Sequence, residues 1–440
     1  MVSELWFSRL GGQLWAAAAE DGRIVEIHHE WPAKRTAAIG SIHLAKVRRV
    51  VTQLEAAFVS LAGGCEAYLE GDDLPGEGTP AHKLAALRPG EPLVVQVRRE
   101  AFGDKRARVS AKPELTGTFM SVRPQGQGVA VSRRIEERAE RDRLADWARR
   151  SGGRVLLRTA AAGVDERALE EEHETLVRQS ERLAAAARER RPPECLDPGP
   201  ALIERLIRDY AGRGLQRVVV ETDADVAAAG LTIGTRTRVD RHDGPAALIH
   251  ASGLWKTSRR ALDSHVRLGS GATLAIESTE ALWAIDVNAA AVRARGARRL
   301  ETAAINTEAA QRIAAEIRLR DIAGTILIDF LEPADRAERE LVANRLREAL
   351  RFDRRYLRVG GWTRLGLCEL ARRRVGPGLL ERLGPPGNPT PWGAAAEILA
   401  QHVENPRPGR VVSVDDRTAA ALRASIETSE RPLDLKIEVR

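Results

Sequence analysis

Apolar and polar positions along the chain follow several rhythms, and each rhythm predicts a different kind of element. Near the start, "QLWAAAAEDGRIVEIHHEW" splits at Asp21-Gly22 into two apolar blocks, the mark of a hairpin. Between 38 and 112, short alternating runs recur with glycine turns between them: "SIHLAKVRRVV", "AAFVSLAGGCEAYLE", "PLVVQVRRE" and "RARVSA". Five short strands with basic edges fit an OB-fold barrel. From 113 to 192 the pattern turns mixed and then helical. "RIEERAERDRLADWARR" predicts a charged helix, "GGRVLLRTAAAG" a strand ending at Arg158-Thr159, and "DERALEEEHETLVRQSERLAAAARERR" a long solvated helix. The four prolines of "RRPPECLDPGP" break that helix and predict a boundary.

Beyond the boundary, "GLQRVVVETDADVAAAGLTIG" predicts a strand and then a helix. Ile305, Ala309, Ile313 and Ile317 recur every four residues, giving one apolar helical face. The apolar runs 281–287 and 325–331 flank that helix and read as strands. A strand–helix–strand unit of this length normally makes two parallel neighbours through a right-handed crossover. "LGPPGNPTPW" (383–392) reads as a linker without regular structure. A last small unit, 393–440, follows as helix, strand, helix and closing strand.

One feature of the parallel pair carries chemistry. Asp286 and Asp329 occupy the same place near the carboxyl ends of their strands, and neighbouring strands lie about 4.7–4.9 Å apart. Asn288 shares a face with Asp286 because strand side chains alternate. Two carboxylates and an amide oxygen are ligands of the kind Mg²⁺ takes, with water and substrate phosphate completing its shell. A capping role explains one such aspartate well; it explains the matched pair poorly.

Composition narrows the setting. A chain of 440 residues exceeds one hydrophobic core, and no apolar run reaches the length of a membrane span. The start has no basic leader and apolar block, so a cytoplasmic location is expected. Cys65, Cys195 and Cys368 lie far apart, which argues against a disulfide framework. Net charge is +7, carried mostly by arginine, which suits a polyanionic partner. Aromatics are only 4%, so base-stacking platforms can be few. No GxxxxGK[ST] loop is present, which disfavours a nucleotide phosphotransferase.

"STEALWAIDVNAA", "INTEAAQRIAAEIRLRDIAGTILIDF" and "ANRLREALRFDR" closely resemble the catalytic core of the ribonuclease E/G family. "LEAAFVSLAGGCEAYLEGDDL" resembles its OB-fold insert, "VSRRIEE" and "GGRVLLRTAAAG" its 5′-end-sensing region, and "SRRALDSHVRLGSGATLAIEST" its approach to the active site. The resemblance runs in order over most of 1–380. It implies an α/β multidomain fold. A ribonuclease-H-like subdomain (1–37 and 193–272) is interrupted by the OB-fold domain (38–112) and the 5′ sensor (113–192). A deoxyribonuclease-I-like catalytic subdomain (273–382), a linker (383–392) and a small C-terminal domain (393–440) follow.

The same resemblance implies a Mg²⁺-dependent endoribonuclease acting on single-stranded RNA in rRNA and tRNA processing and mRNA decay. Hydrolysis would leave a 5′-phosphate and a 3′-hydroxyl. Asp286 and Asp329 would hold the metal, with Asn288 assisting at the attacked phosphate. Arg158, Thr159 and Gly117 would receive a 5′-monophosphate, and Phe58, Tyr68 and Lys105 would contact RNA. The sequence also departs from the family. Residues 383–392 contain no cysteine, so no zinc is expected and any homo-oligomer would not be zinc-bridged. Ala289-Ala290 stands where Ser-Gly is usual, and "RARGARR" replaces a glycine-rich stretch ending in an acid. The rival expectation is a weakened homologue that binds RNA without cutting it.

Overall fold

The computed structural model describes residues 1–31, 37–126, 128–152, 154–230, 237–289 and 299–440. Two units emerge, one from 1–32, 219–221 and 241–440, the other from 33–218 and 222–240.

In the first unit, Glu4–Leu10, Gln13–Glu20 and Arg23–Glu30 form an antiparallel meander. Its second turn is the expected hairpin: Asp21 and Gly22 both take positive φ, 48° and 72°, as a two-residue turn between twisted strands requires. Glu221 lies at the meander's edge. Its carboxylate accepts from Ser8 Oγ (2.9 Å), Arg9 N (2.6 Å) and Leu248 N (2.7 Å).

The same unit holds a six-stranded sheet. Its spatial order is His265–Arg267, Thr273–Ser278, Leu282–Asn288, Gly324–Asp329, Cys368–Arg372 and Leu357–Trp362. Only the central pair, Leu282–Asn288 with Gly324–Asp329, is parallel, joined through the helix Arg299–Leu319 as the apolar periodicity predicts. Period-2 alternation then separates the two faces. Leu274, Ile276, Ile285, Val287, Ile326, Ile328 and Leu370 pack on Ile305, Ala309, Ile313, Ile317, Val342 and Leu346 of two helices. The opposite face keeps its polar residues in water, and that face carries the candidate site.

Residues 384–390 carry no helix or strand and connect the helix Leu379–Leu383 to the helix Pro391–Glu404, so only the ends of the 383–392 stretch are helical. Thr390 caps the second helix by accepting from Gly393 N (3.0 Å) and donates through Oγ1 to Arg382 O (2.6 Å). Proline suits the first helical turn, where its missing N–H has no partner to lose. The segment 393–440 forms the expected elements but shares a core with the meander. Leu399, Ala400 and Leu422 pack with Leu10, Trp15 and Ile27. Gly12 N donates to Ser425 O (2.7 Å), and Gln13 Nε2 to Ser425 Oγ (3.1 Å).

The second unit contains a closed five-stranded barrel. Ile42–Val51, Ala56–Ser60, Glu66–Glu70, Ala107–Ser110 and Pro92–Arg99 follow one another around it, and Pro92–Arg99 pairs back with Ile42–Val51. The strand Glu194–Asp197 adds to Ile42–Val51, so the proline-rich segment carries an extra strand on the barrel. A small four-stranded sheet with the helices Arg138–Arg150 and Glu166–Glu189 accompanies it around Leu144, Trp147 and Leu169. Among the described residues, no helix is long and apolar enough to cross a membrane.

Beneath the six-stranded sheet's edge lies a buried ionic knot. Arg372 is fully buried; Nε donates to Asp353 (2.8 Å), and Nη1 to Asp321 Oδ1 (2.7 Å) and Ile322 O (2.9 Å). Asp321 lies in the turn just after the crossover helix, and Arg372 stands in register with Gly324, the first residue of the Asp329 strand. Burial pushes the Asp321 carboxyl up, but Arg355, Arg372 and Arg354 outweigh it and hold it well below the usual range. Glu26 behaves alike: burial opposes, while His28, Arg354 and Arg318 prevail. Replacing one partner of such a knot strands a buried charge. Arg372→Leu is expected to lower the unfolding free energy by about 3–5 kcal/mol, read from urea midpoints. Carboxylates with depressed native pKa stabilise fully above their unfolded value, about pH 4, and that contribution drains as pH falls below it. The variant should therefore show a shallower acid limb than the parent.

Candidate active site

Parallel pairing sets Asp286 and Asp329 directly opposite each other, in register. Buried Ile285 and Val287 bracket Asp286, and buried Ile328 and Phe330 bracket Asp329, so alternation turns both carboxylates out to solvent. Asn288 emerges on the same face, in register with Thr273 of the next strand. Asp286 holds its proton above the ordinary carboxylate range, first through partial burial, then through the charges of Asp329 and Glu277. A cation between the two strands would remove that repulsion. The donors are all oxygen. Two carboxylates and an amide oxygen are donors of the kind a hard ion takes; among the described residues no three histidine, cysteine or acidic side chains converge as a metal cage.

The crossover helix braces this face with two polar side chains. Asn306 is fully buried; its Nδ2 donates to Leu331 O (2.7 Å) and its Oδ1 accepts from Leu331 N (3.1 Å). The backbone just past Asp329 is thus clamped from below. Glu308 accepts from Gly269 N (2.6 Å) and Ser270 N (3.2 Å), fixing the turn between the first two strands. The sequence carried a signal for Asn306: it shares a buried helical row with Ala310 and Ala314, where a polar residue needs a partner.

Further polar residues on this face follow from register and escaped the sequence reading, His265, Arg267 and Glu277 among them. His265 pairs with Ala275, which pairs with Asp286, so His265, Ala275, Asp286 and Asp329 form one row across four strands. Arg267, Thr273 and Asn288 form the adjacent row. Glu277 lies on the same face, opposite Ala284. His265 and Arg267 are both exposed. Ala289 is buried, so a small apolar side chain there serves the core. The expectation for Ala290 and for the "RARGARR" stretch lies outside the described residues.

In the second unit, Arg158, Thr159 and Gly117 come together. Arg158 Nη1 donates to Gly117 O (2.7 Å) and Thr118 O (3.2 Å), and Nη2 lies 3.4 Å from Asp209. Thr159 Oγ1 lies 2.9 Å from Ser132 Oγ. Gly117 has a packing reason to be glycine: a Cβ there would stand 2.4 Å from the Glu172 carboxyl carbon. That carboxylate accepts from Thr118, Phe119 and Met120 N. Burial, then the charge of Arg158, lowers the proton affinity of Arg208. Burial, then Arg134, does the same to Arg213. Asp209, Glu204 and Glu172 offset part of the positive charge around Arg208.

On the barrel, Phe58 and Tyr68 are cross-strand partners with ring centroids 5.7 Å apart, edge to face. Phe58 is only 8% exposed, because Arg49 lies over its ring at 4.3 Å and Arg106 at 5.3 Å. The sequence reading missed both arginines, and they, with Tyr68, form the accessible part of this patch. Lys105 sits in a separate hairpin, its Nζ 5.5 Å from the Phe102 ring.

Comparison with known proteins agrees with this layout. The model of the ribonuclease E/G family matches residues 114–375. Ribonuclease E of Nostoc sp. is 32% identical over 361 residues, covering 79% of this chain and 52% of the relative. Ribonuclease G of Escherichia coli is 31% identical over 397 residues, covering 85% of this chain and 80% of the relative. Ribonuclease E of Escherichia coli is 31% identical over 389 residues, 84% of this chain and 36% of the relative. The chain therefore spans about half or less of the two ribonuclease E relatives. With a matching model over more than half its length and the paired aspartates in register, the chain belongs to the ribonuclease E/G family.

Proposed function

We propose that this chain is a Mg²⁺-dependent endoribonuclease that hydrolyses single-stranded RNA, leaving a 5′-phosphate and a 3′-hydroxyl. The observation that carries the reading is the in-register, outward-facing pair Asp286 and Asp329. These two carboxylates would hold the ion, and Asn288 would orient the phosphate beside it. A bound Mg²⁺ polarises the phosphodiester and lowers the proton affinity of an attacking water. Family membership supports RNA as the substrate. The rival reading, an RNA-binding homologue without catalysis, finds no support in a face that keeps Asp286, Asn288 and Asp329 together.

Arg158, Thr159 and Gly117 would receive a 5′-monophosphate. The two backbone carbonyls and Asp209 aim the Arg158 fork, and the Thr159 hydroxyl adds a donor. Tyr68 and Lys105, with Phe58 under its arginines, would contact the RNA elsewhere on this unit. Processing of rRNA and tRNA and turnover of mRNA are the roles such an enzyme serves.

The test is cleavage of a 5′-monophosphorylated single-stranded oligonucleotide with and without Mg²⁺, with end-group analysis of the products. Asp329→Asn should cut slower by about 10²–10³-fold or more while binding RNA as the parent does in a gel-shift assay. Full turnover by that variant would move the metal elsewhere. Arg158→Ala should lose the preference for 5′-monophosphate over 5′-hydroxyl RNA by about tenfold or more, since hydrogen bonds to charged groups are worth about 1.5–3 kcal/mol. Equal rates on both substrates in the parent would leave the sensor assignment without basis.

A further inference from the structure

The outward face of the six-stranded sheet holds one titratable donor that the proposed hydrolysis does not yet use. His265 shares a cross-strand row with Asp286 and Asp329, separated from Asp286 only by Ala275. Two strand spacings place its backbone about 9–10 Å from that of Asp286. Ala275, the residue between them, is small and half-buried, so no long side chain in this row stands between the imidazole and the carboxylate pair. A span of that width takes one phosphodiester, with a ligand bridge on the carboxylate side and a hydrogen bond on the imidazole side.

The imidazole is braced. Nδ1 lies 3.0 Å from Ser264 Oγ, so a protonated ring donates there and keeps Nε2 for another partner. Its strand is registered by His265–Ala275 and Arg267–Thr273, and Glu308 ties down the turn that follows. Of the other charged groups on this face among the described residues, Arg267 and Arg358 do not release a proton, and Glu277 and Glu369 only accept once ionised. Asp286 and Asp329 face each other and are committed to the cation.

We propose that His265 is the general acid of the cleavage reaction, protonating the 3′-oxygen as it leaves phosphorus. The inference rests on the hydrolytic reading above. A water oxygen bonds to phosphorus and gives its proton to solvent. The P–O3′ bond breaks, its electron pair takes the Nε2 proton, and neutral imidazole is reprotonated from solvent. Nothing is oxidised or reduced. One fragment ends in a 3′-hydroxyl and the other begins with a 5′-phosphate. The assignment also fixes polarity: the RNA upstream of the cut lies toward the His265 strand and the downstream part toward the Asp329 strand.

The test compares parent and His265→Gln on two RNAs, in Mn²⁺ throughout. One has an ordinary scissile linkage; the other replaces the bridging 3′-oxygen by sulfur, which leaves as a thiolate without needing a proton. The variant should cut the oxygen substrate about 10²-fold or more slower, the scale of general acid catalysis. On the sulfur substrate its rate should match the parent's. In an Asp329→Asn background, adding His265→Gln should leave RNA affinity unchanged. Equal losses on both substrates, a loss of affinity, or an undiminished rate on the oxygen substrate would each overturn the assignment. A parent that cuts neither substrate would overturn the hydrolytic reading with it, whereas a parent that cuts both beside an unaffected variant overturns the acid alone.

Discussion

Two like charges held side by side repel, and much of the first unit can be read as the scaffold that keeps them there. At one strand spacing the repulsion between Asp286 and Asp329 is about 1–3 kcal/mol for effective dielectric constants between water and a protein surface. No hydrogen bond between the two carboxylates relieves it, since both accept. Parallel pairing fixes their separation, and alternation fixes their direction. Asn306 clamps the chain two residues past Asp329, and Arg372 with Asp321 pins the point where that strand begins. The strand is thus held at both ends by buried polar contacts while its middle packs on the crossover helix. A cation held between the carboxylates would offset that repulsion.

The second unit follows a related rule with opposite sign. Arg158 and its guanidinium neighbours are crowded against Asp209 and backbone carbonyls, and the barrel places Arg49 and Arg106 over Phe58. In each place the guanidinium is oriented by protein groups, carbonyls and a carboxylate at Arg158 and an aromatic ring at Arg49 and Arg106.

What could be read from the chain alone depended on whether neighbours in space were also periodic in sequence. Ile305, Ala309, Ile313 and Ile317 announced the crossover helix, and the helix announced the parallel pair, so Asp286 and Asp329 were legible together. His265 and Arg267 were not. Their place beside the aspartates depends on the register of antiparallel strands, which a three-residue strand cannot reveal by its own pattern. The barrel was legible from strand spacing, yet the strand Glu194–Asp197 was hidden among prolines that signalled a break. Residues 384–390 are irregular, as the prolines and glycines of that stretch suggest; what the pattern hid is the Thr390 cap that opens the next helix at Pro391. The last stretch looked independent because its elements are locally complete. Its apolar faces are completed by Trp15 and Ile27, nearly the whole chain away.

That shared core has a consequence for how the molecule comes into being. Ser425 closes hydrogen bonds with Gly12 and Gln13, and Leu422 covers Leu10 and Trp15. The first three strands are made early in synthesis, and part of their apolar cover, the helix Asp416–Glu427, is made almost last. Contacts of such sequence separation are slow to form, because a long loop must close before they reward the chain. Trp15 meets Trp255 and Leu254 in the same core, so that core draws on the start, the middle and the far end of the chain and is complete only when all three have been made.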